Sequence, residues 1–166
     1  MARNVVIPAQ RLPTEPPIPD AVARWLLPDL PDDEYHWVET ARGAVRVPRP
    51  TWATRTAASK AAALALLPTY QALSQPVTQA HLAVWLRDLC WCRDAPPLEA
   101  FPDAVATYAR FLSTLAVGVF TAATQEAAGR TFDFFPTPAR VHEFLIEDSR
   151  RLKRTLGILE YLGEAA

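Results

Sequence analysis

The sequence predicts an all-α protein, a small bundle of four to five helices behind a Pro-rich, partly extended N-terminal arm with room for a short hairpin. Three observations carry this. Apolar residues recur at helical spacing from about Thr56 to the end. Nine of the sixteen prolines (Pro8, Pro13, Pro16, Pro17, Pro19, Pro28, Pro31, Pro48 and Pro50) fall in the first 50 residues, where they remove donors and block regular helix. The run Thr131-Phe132-Asp133-Phe134-Phe135-Pro136-Thr137-Pro138 then sets an aromatic joint and a helix start between two long helical patterns. With 166 residues, against domains of about 100–150, the expected division is an arm over 1–55 and one helical domain over 56–166.

The arm is too apolar for a plain linker, because Trp25, Leu26, Leu27, Tyr35, Trp37, Val38, Val45, Val47 and Trp52 are costly to leave in water. From Asp20 to Leu27, a capping Asp precedes Val22, Trp25 and Leu26 on one side of a short helix. Tyr35–Thr40 and Ala44–Val47 are β-prone runs around Ala41-Arg42-Gly43, whose glycine can take the positive φ of a tight turn. A lone hairpin is marginal, so this one needs a surface to pack on.

In the helical domain, Ser59 caps a first helix carrying Ala61, Leu64 and Leu67. Pro68 then either kinks it or divides it before Tyr70 and Leu73. A second helix starts near Pro76-Val77-Thr78, aligns Leu82, Trp85, Leu86 and Leu89, and ends before Pro96-Pro97. A third is expected from about Asp103 to Ala128, with Val105, Tyr108, Leu112, Leu115, Val119 and Ala123 on one face and Gly129 as its stop. The fourth has the best-specified start, Thr137 as cap and Pro138 at the first helical position, where a missing donor costs nothing. Its core stripe is Val141, Leu145, Leu152, Leu156 and Leu159, and Gly163 ends it. Phe132, Phe134 and Phe135 are expected to pin the preceding turn by burying their rings, each worth about 2 kcal/mol. An aromatic knob for a partner is the alternative use of the same motif.

Chemistry is sparse. There is no Gly-rich phosphate loop, no His-Glu-x-x-His, no paired Cys-x-x-Cys and no nucleophile elbow, so the expectation is a non-enzyme without cofactor or metal. Cys90 and Cys92 flank Trp91 on what reads as a helix, where residues two apart diverge, and they are expected to be buried thiols. His142 beside Glu143 and Glu147 could supply half a carboxylate metal site, but facing carboxylates are few, and a surface histidine is expected. The formal charge of −1 gives no whole-chain drive toward DNA or acidic membranes. Neither a signal-peptide h-region nor a spanning segment is seen, which points to a cytoplasmic protein.

Two local charge runs stand out. Arg150, Arg151, Lys153 and Arg154 could face nucleic acid or an acidic partner, although Glu147 neutralises part of them and direct nucleic-acid contact is not favoured. Asp32, Asp33 and Glu34 precede Tyr35, His36 and Trp37 and could mimic phosphate toward a basic partner, or form a solvated turn. With Trp25, Trp37 and Trp52 as anchors, they make up the expected partner-binding set.

From Pro68 to Leu162, the runs PTYQALSQPVTQAHLAVWLRDL, TYARFLSTLAVGVFTAAT and FFPTPARVHEFLIEDSRRLKRTL resemble small helical phage and prophage proteins grouped as replicative-helicase loaders and inhibitors. The resemblance rests on the Trp85-Leu86 helix, the Tyr108–Phe120 helix and the FFPTPA joint before a charged last helix. It implies an ATP-independent adaptor that binds a helicase hexamer or an initiator and regulates helicase delivery to DNA. The chain departs from that pattern in its N-terminal arm, since such loaders carry the flexible helicase-binding tail after the helices, so no binding residue is carried over. Two function classes follow. One is a replication adaptor whose arm and helices hold different partners. The other is a prophage-type inhibitor that covers a site on a host or defence complex.

Overall fold

A computed structural model describes residues 11–26 and 30–164. Pro8, Pro28 and the expected helix end at Leu27 lie outside the described residues. Among the described residues the chain forms α1 (Asp20–Ala23), β1 (Tyr35–Thr40), β2 (Gly43–Pro48), α2 (Ala57–Leu73), α3 (Gln79–Arg87), α4 (Phe101–Phe111), α5 (Ala122–Thr131) and α6 (Pro138–Gly163). The fold is therefore mixed, about 55% helical with a two-stranded antiparallel hairpin, and the all-α expectation is corrected on two counts. The hairpin is an integral element that buries Val45 and Val47, and the helices among the described residues number six because the expected third helix is two.

That break has a clear physical cause. Leu112, Leu115, Ala116, Val117, Val119 and Phe120 are all buried, so the segment is apolar on every side and a continuous helix would turn half of it to solvent. It leaves the helix and exchanges bonds with its surroundings instead. Val77 N–H donates to Leu115 O (3.1 Å), Val117 N–H to Gln75 O (2.7 Å) and Ala116 N–H to Ser149 Oγ (3.0 Å). The close approach requires glycine at 118, where a Cβ would lie 2.7 Å from Leu152 Cδ1, 2.8 Å from Leu73 Cβ and 2.9 Å from Leu73 O. Because that carbonyl is backbone and cannot yield, Gly118→Ala is expected to cost about 1–3 kcal/mol in chemical denaturation. A wild-type midpoint would contradict this packing.

Helices α2, α3, α5 and α6 start on side-chain caps. Thr121 Oγ1 accepts from Thr124 N–H (3.1 Å), and Thr124 Oγ1 accepts from Thr121 N–H (3.0 Å), a reciprocal box that opens α5. Thr56 and Ser59 form the same exchange at α2, at 3.0 and 2.8 Å, so Ser59 is the return partner and the cap lies three residues earlier. Thr78 caps α3 (3.3 Å) and Thr137 caps α6 (3.4 Å). Pro68 lies inside a single α2, and α5 runs through Gly129 to Thr131.

The chain divides into two compact units. Residues 16–71 and 153–164 form the hairpin unit, and 11–15 and 72–152 the helical unit; α2 and α6 contribute to both. In the hairpin unit, Trp25 packs edge-on against Tyr161 (5.8 Å between ring centroids), and the Arg55 guanidinium lies 4.7 Å over the same Tyr161 ring. In the helical unit, Leu82, Trp85, Leu86, Leu89, Phe120, Val141 and Leu145 are each buried, and Trp85 lies edge-on to Phe120 at 5.5 Å.

At the end of α6, Arg42 Nε lies 2.7 Å from Glu160 Oε1, while Glu160 Oε2 is buried without a partner. Burial pushes the Glu160 carboxyl above its usual range, against the pull of Arg42 and with the repulsion of Glu164. A raised folded pKa means the fold favours the protonated form. That contribution is full below the unfolded value of 4.5 and is lost as pH rises through the folded value. As pH increases from that point toward neutrality, wild type should therefore lose stability relative to Glu160→Gln. Parallel pH curves for the two proteins would contradict this.

Candidate protein-binding surface

The hairpin register is Tyr35↔Pro48, His36↔Val47, Trp37↔Arg46, Val38↔Val45, Glu39↔Ala44 and Thr40↔Gly43. Alternation places His36, Val38, Val45 and Val47 on the inner face, and Tyr35, Trp37, Glu39, Ala44 and Arg46 on the outer one. Gly43 at φ +120° closes a two-residue turn, where Thr40 Oγ1 donates to Gly43 O (2.8 Å). The inner valines are buried, and this fixes the register, since a one-residue slip would expose them. Trp37 is held outward as a result, 69% exposed.

Beside it, the Arg46 guanidinium stacks 4.2 Å over the Tyr35 ring and is paired to Asp32 Oδ1 at 2.5 Å. The acidic run forms a short 3₁₀ turn before β1 and fastens the turn that follows β2. Arg49 Nε donates to Asp33 O (2.6 Å), Arg49 N–H donates to Glu34 O (2.8 Å), and Thr51 Oγ1 donates to Glu34 Oε2 (3.3 Å). These bonds bring Asp32, Asp33 and Glu34 to the same end of the hairpin as Trp52, which is 46% exposed. The Asp33 and Glu39 carboxylates have no partner among the described residues and face solvent. Trp25 does not join this surface. It is 4% exposed against Tyr161 and has no ring face to offer.

The basic run is largely engaged. Glu147 pairs with Arg150, and Glu15 grips Arg151 through both carboxylate oxygens at 2.9 and 2.8 Å. Lys153 and Arg154 are exposed on the same helix, without the interleaved aromatics of a nucleic-acid surface.

The helical unit carries a second aromatic surface: its Phe134 belongs to the joint whose alternative reading is a partner-binding knob, and its Trp91 has no place in the sequence reading of partner-binding residues. Cys90-Trp91-Cys92 is not helical, because α3 ends at Arg87 and the chain turns through Asp94, which takes φ +59°. The turn then pairs with the Phe-rich joint. Arg93 N–H donates to Asp133 O (3.0 Å), Phe135 N–H to Arg93 O (2.7 Å), and the Cys92 thiol to Phe132 O (3.3 Å). Both cysteines are free thiols, and burial pushes each thiol pKa up, so both stay protonated. Phe132 is buried edge-on to Phe144 (5.4 Å), and Phe135 packs on Tyr108 (6.0 Å). The hydroxyl of Tyr108, its pKa pushed by burial up to about 12, donates to Pro136 O. Phe134 departs from the expected burial. It is 54% exposed, under the Arg93 guanidinium at 5.9 Å, and with Trp91 (65% exposed), Arg93 and Asp133 it lines a cleft of about 330 Å³. The signal for an exposed Trp91 was the turn chemistry of Asp94-Ala95-Pro96-Pro97, which pulls the helix end forward.

Among the described residues, no group of three His, Cys, Asp or Glu is placed to hold a metal ion, and no helix is long and apolar enough to cross a membrane. Comparison with protein-family models, curated proteins and solved structures finds no match to the chain.

Proposed function

We propose that this chain is a protein-binding adaptor that engages one partner through the outer face of its hairpin and another through the Trp91/Phe134 cleft. The observation that carries the reading is Trp37, a large ring held 69% exposed on the outer face of a hairpin whose inner face buries Val45 and Val47. Exposed aromatics on rigid backbone bind at low entropic cost, and tryptophan is enriched among the residues that dominate interface energy. The replicative-helicase hexamer or initiator suggested by the resemblance is the first partner to test. An inhibitor of a host complex is the second reading, and it is favoured by the acidic groups around Trp37, which suit a basic surface evolved to hold nucleic acid.

The test is to recover complexes on the tagged full chain from its host after nuclease treatment, alongside Trp37→Ala and Trp91→Ala. An adaptor loses a different protein with each substitution, a helicase or initiator being one of them. An inhibitor loses a single host complex, through Trp37→Ala alone. Unchanged recovery with both variants contradicts the proposal.

A further inference from the structure

The hairpin register determines which backbone groups of β1 are already bonded. Thr40 and Gly43 flank a two-residue turn, so they must be a hydrogen-bonded pair, because the alternative pattern would bond the two turn residues to each other. At the other end Pro48 has no N–H, so Tyr35↔Pro48 must be a non-bonded pair, which agrees with the alternation counted from the turn. The even positions His36, Val38 and Thr40 bond across to β2, whereas Trp37 and Glu39 aim their N–H and C=O at the opposite edge. Among the described residues the sheet has two strands, and no backbone hydrogen bond reaches Trp37 or Glu39 from outside the hairpin. Native proteins usually cover or blunt such an edge. The far edge of β2 is blunted, by Pro48 within it and Pro50 beyond.

Charge selects the occupant. Of the cations on the hairpin and its flank, Arg42 pairs with Glu160, Arg46 with Asp32, and Arg49 donates to the Asp33 carbonyl, while Asp33 before β1 and Glu39 within it carry exposed carboxylates on either side of Trp37. A second copy of the chain would set two acidic edges against each other, which is unfavourable.

The geometry points to strand addition. An extended, basic segment of a partner protein adds as a third strand on the β1 edge, bonding to the backbone of Trp37 and Glu39. Its alternate Lys or Arg side chains meet Asp33 and Glu39, and one of them stacks on the Trp37 ring. This rests on the proposed protein-binding role and specifies how the hairpin fulfils it.

The test uses the full chain, isotope-labelled, and an end-blocked six-residue peptide alternating Arg or Lys with Val. One control peptide carries Glu in place of the basic residues, and another is N-methylated on alternate residues. The basic peptide is expected to slow hydrogen exchange at the Trp37 and Glu39 amides by about tenfold or more, and neither control should do so. No slowing with the basic peptide, or equal slowing with the N-methylated one, overturns strand addition, as does protection that rises with protein concentration alone. If strand addition fails while Trp37→Ala still loses its protein partner, the adaptor reading stands without this mode. If that partner too is retained, both fall.

Discussion

Trp85→Ala is expected to lower folding stability by about 3–5 kcal/mol, the largest effect of any single substitution considered for this chain. The indole is fully buried in the helical unit, edge-on to Phe120 at 5.5 Å. Its Nε1–H donates to Thr124 Oγ1 (3.3 Å), the same oxygen that closes the capping box of α5. Its backbone carbonyl accepts from the Gln125 side chain at 2.9 Å, so α3 and α5 are joined by both apolar and polar contacts at this residue. Removing the ring opens a cavity and frees the cap in one step. At roughly 2–4 °C per kcal/mol for a chain of this size, the melting temperature should fall by about 6–20 °C. Trp85→Phe keeps most of the apolar volume and should lose much less. A shift below about 1 kcal/mol for the alanine variant would mean that this core is not packed as described.

Trp37→Ala should have the opposite signature. The ring lies on the solvent side of the hairpin, and the register is held by Val45 and Val47 rather than by Trp37, so stability should change by no more than about 0.5 kcal/mol. Partner affinity should fall by at least about 2 kcal/mol, roughly 30-fold, if the ring is the anchor of the interface. Trp25→Ala separates the two roles in one unit: its ring is buried against Tyr161, and its loss should be felt in stability.

What could be read from the residues alone follows where local chemistry decides. The start of α6 was legible because Thr137 and Pro138 act within one turn, and its stripe of Val141, Leu145, Leu152, Leu156 and Leu159 is buried throughout. The strands, too, were legible from β-branched alternation around Gly43. Their weight in the fold was not, because it depends on burying Val45 and Val47. The break between α4 and α5 escaped pattern reading because Leu112, Leu115 and Val119 keep a helical period while the residues between them are also buried. Only tertiary partners, Gln75 and Ser149, reveal that the backbone is needed elsewhere. The candidate surface was half legible. Trp37, Trp52 and the acidic run lie together on the hairpin unit, while Trp25 shares their composition but is buried. Trp91 and Phe134 are exposed because an irregular backbone pairing, Arg93 with Asp133 and Phe135, turns them outward.

The most direct measurement is the affinity of wild-type and Trp37→Ala chains for a partner recovered from the host, with both melting temperatures recorded on the same samples. The account predicts a loss of about 30-fold or more in affinity with the melting temperature unchanged. Equal affinities, or a loss of affinity that merely follows a loss of fold, would contradict the hairpin face as the binding surface.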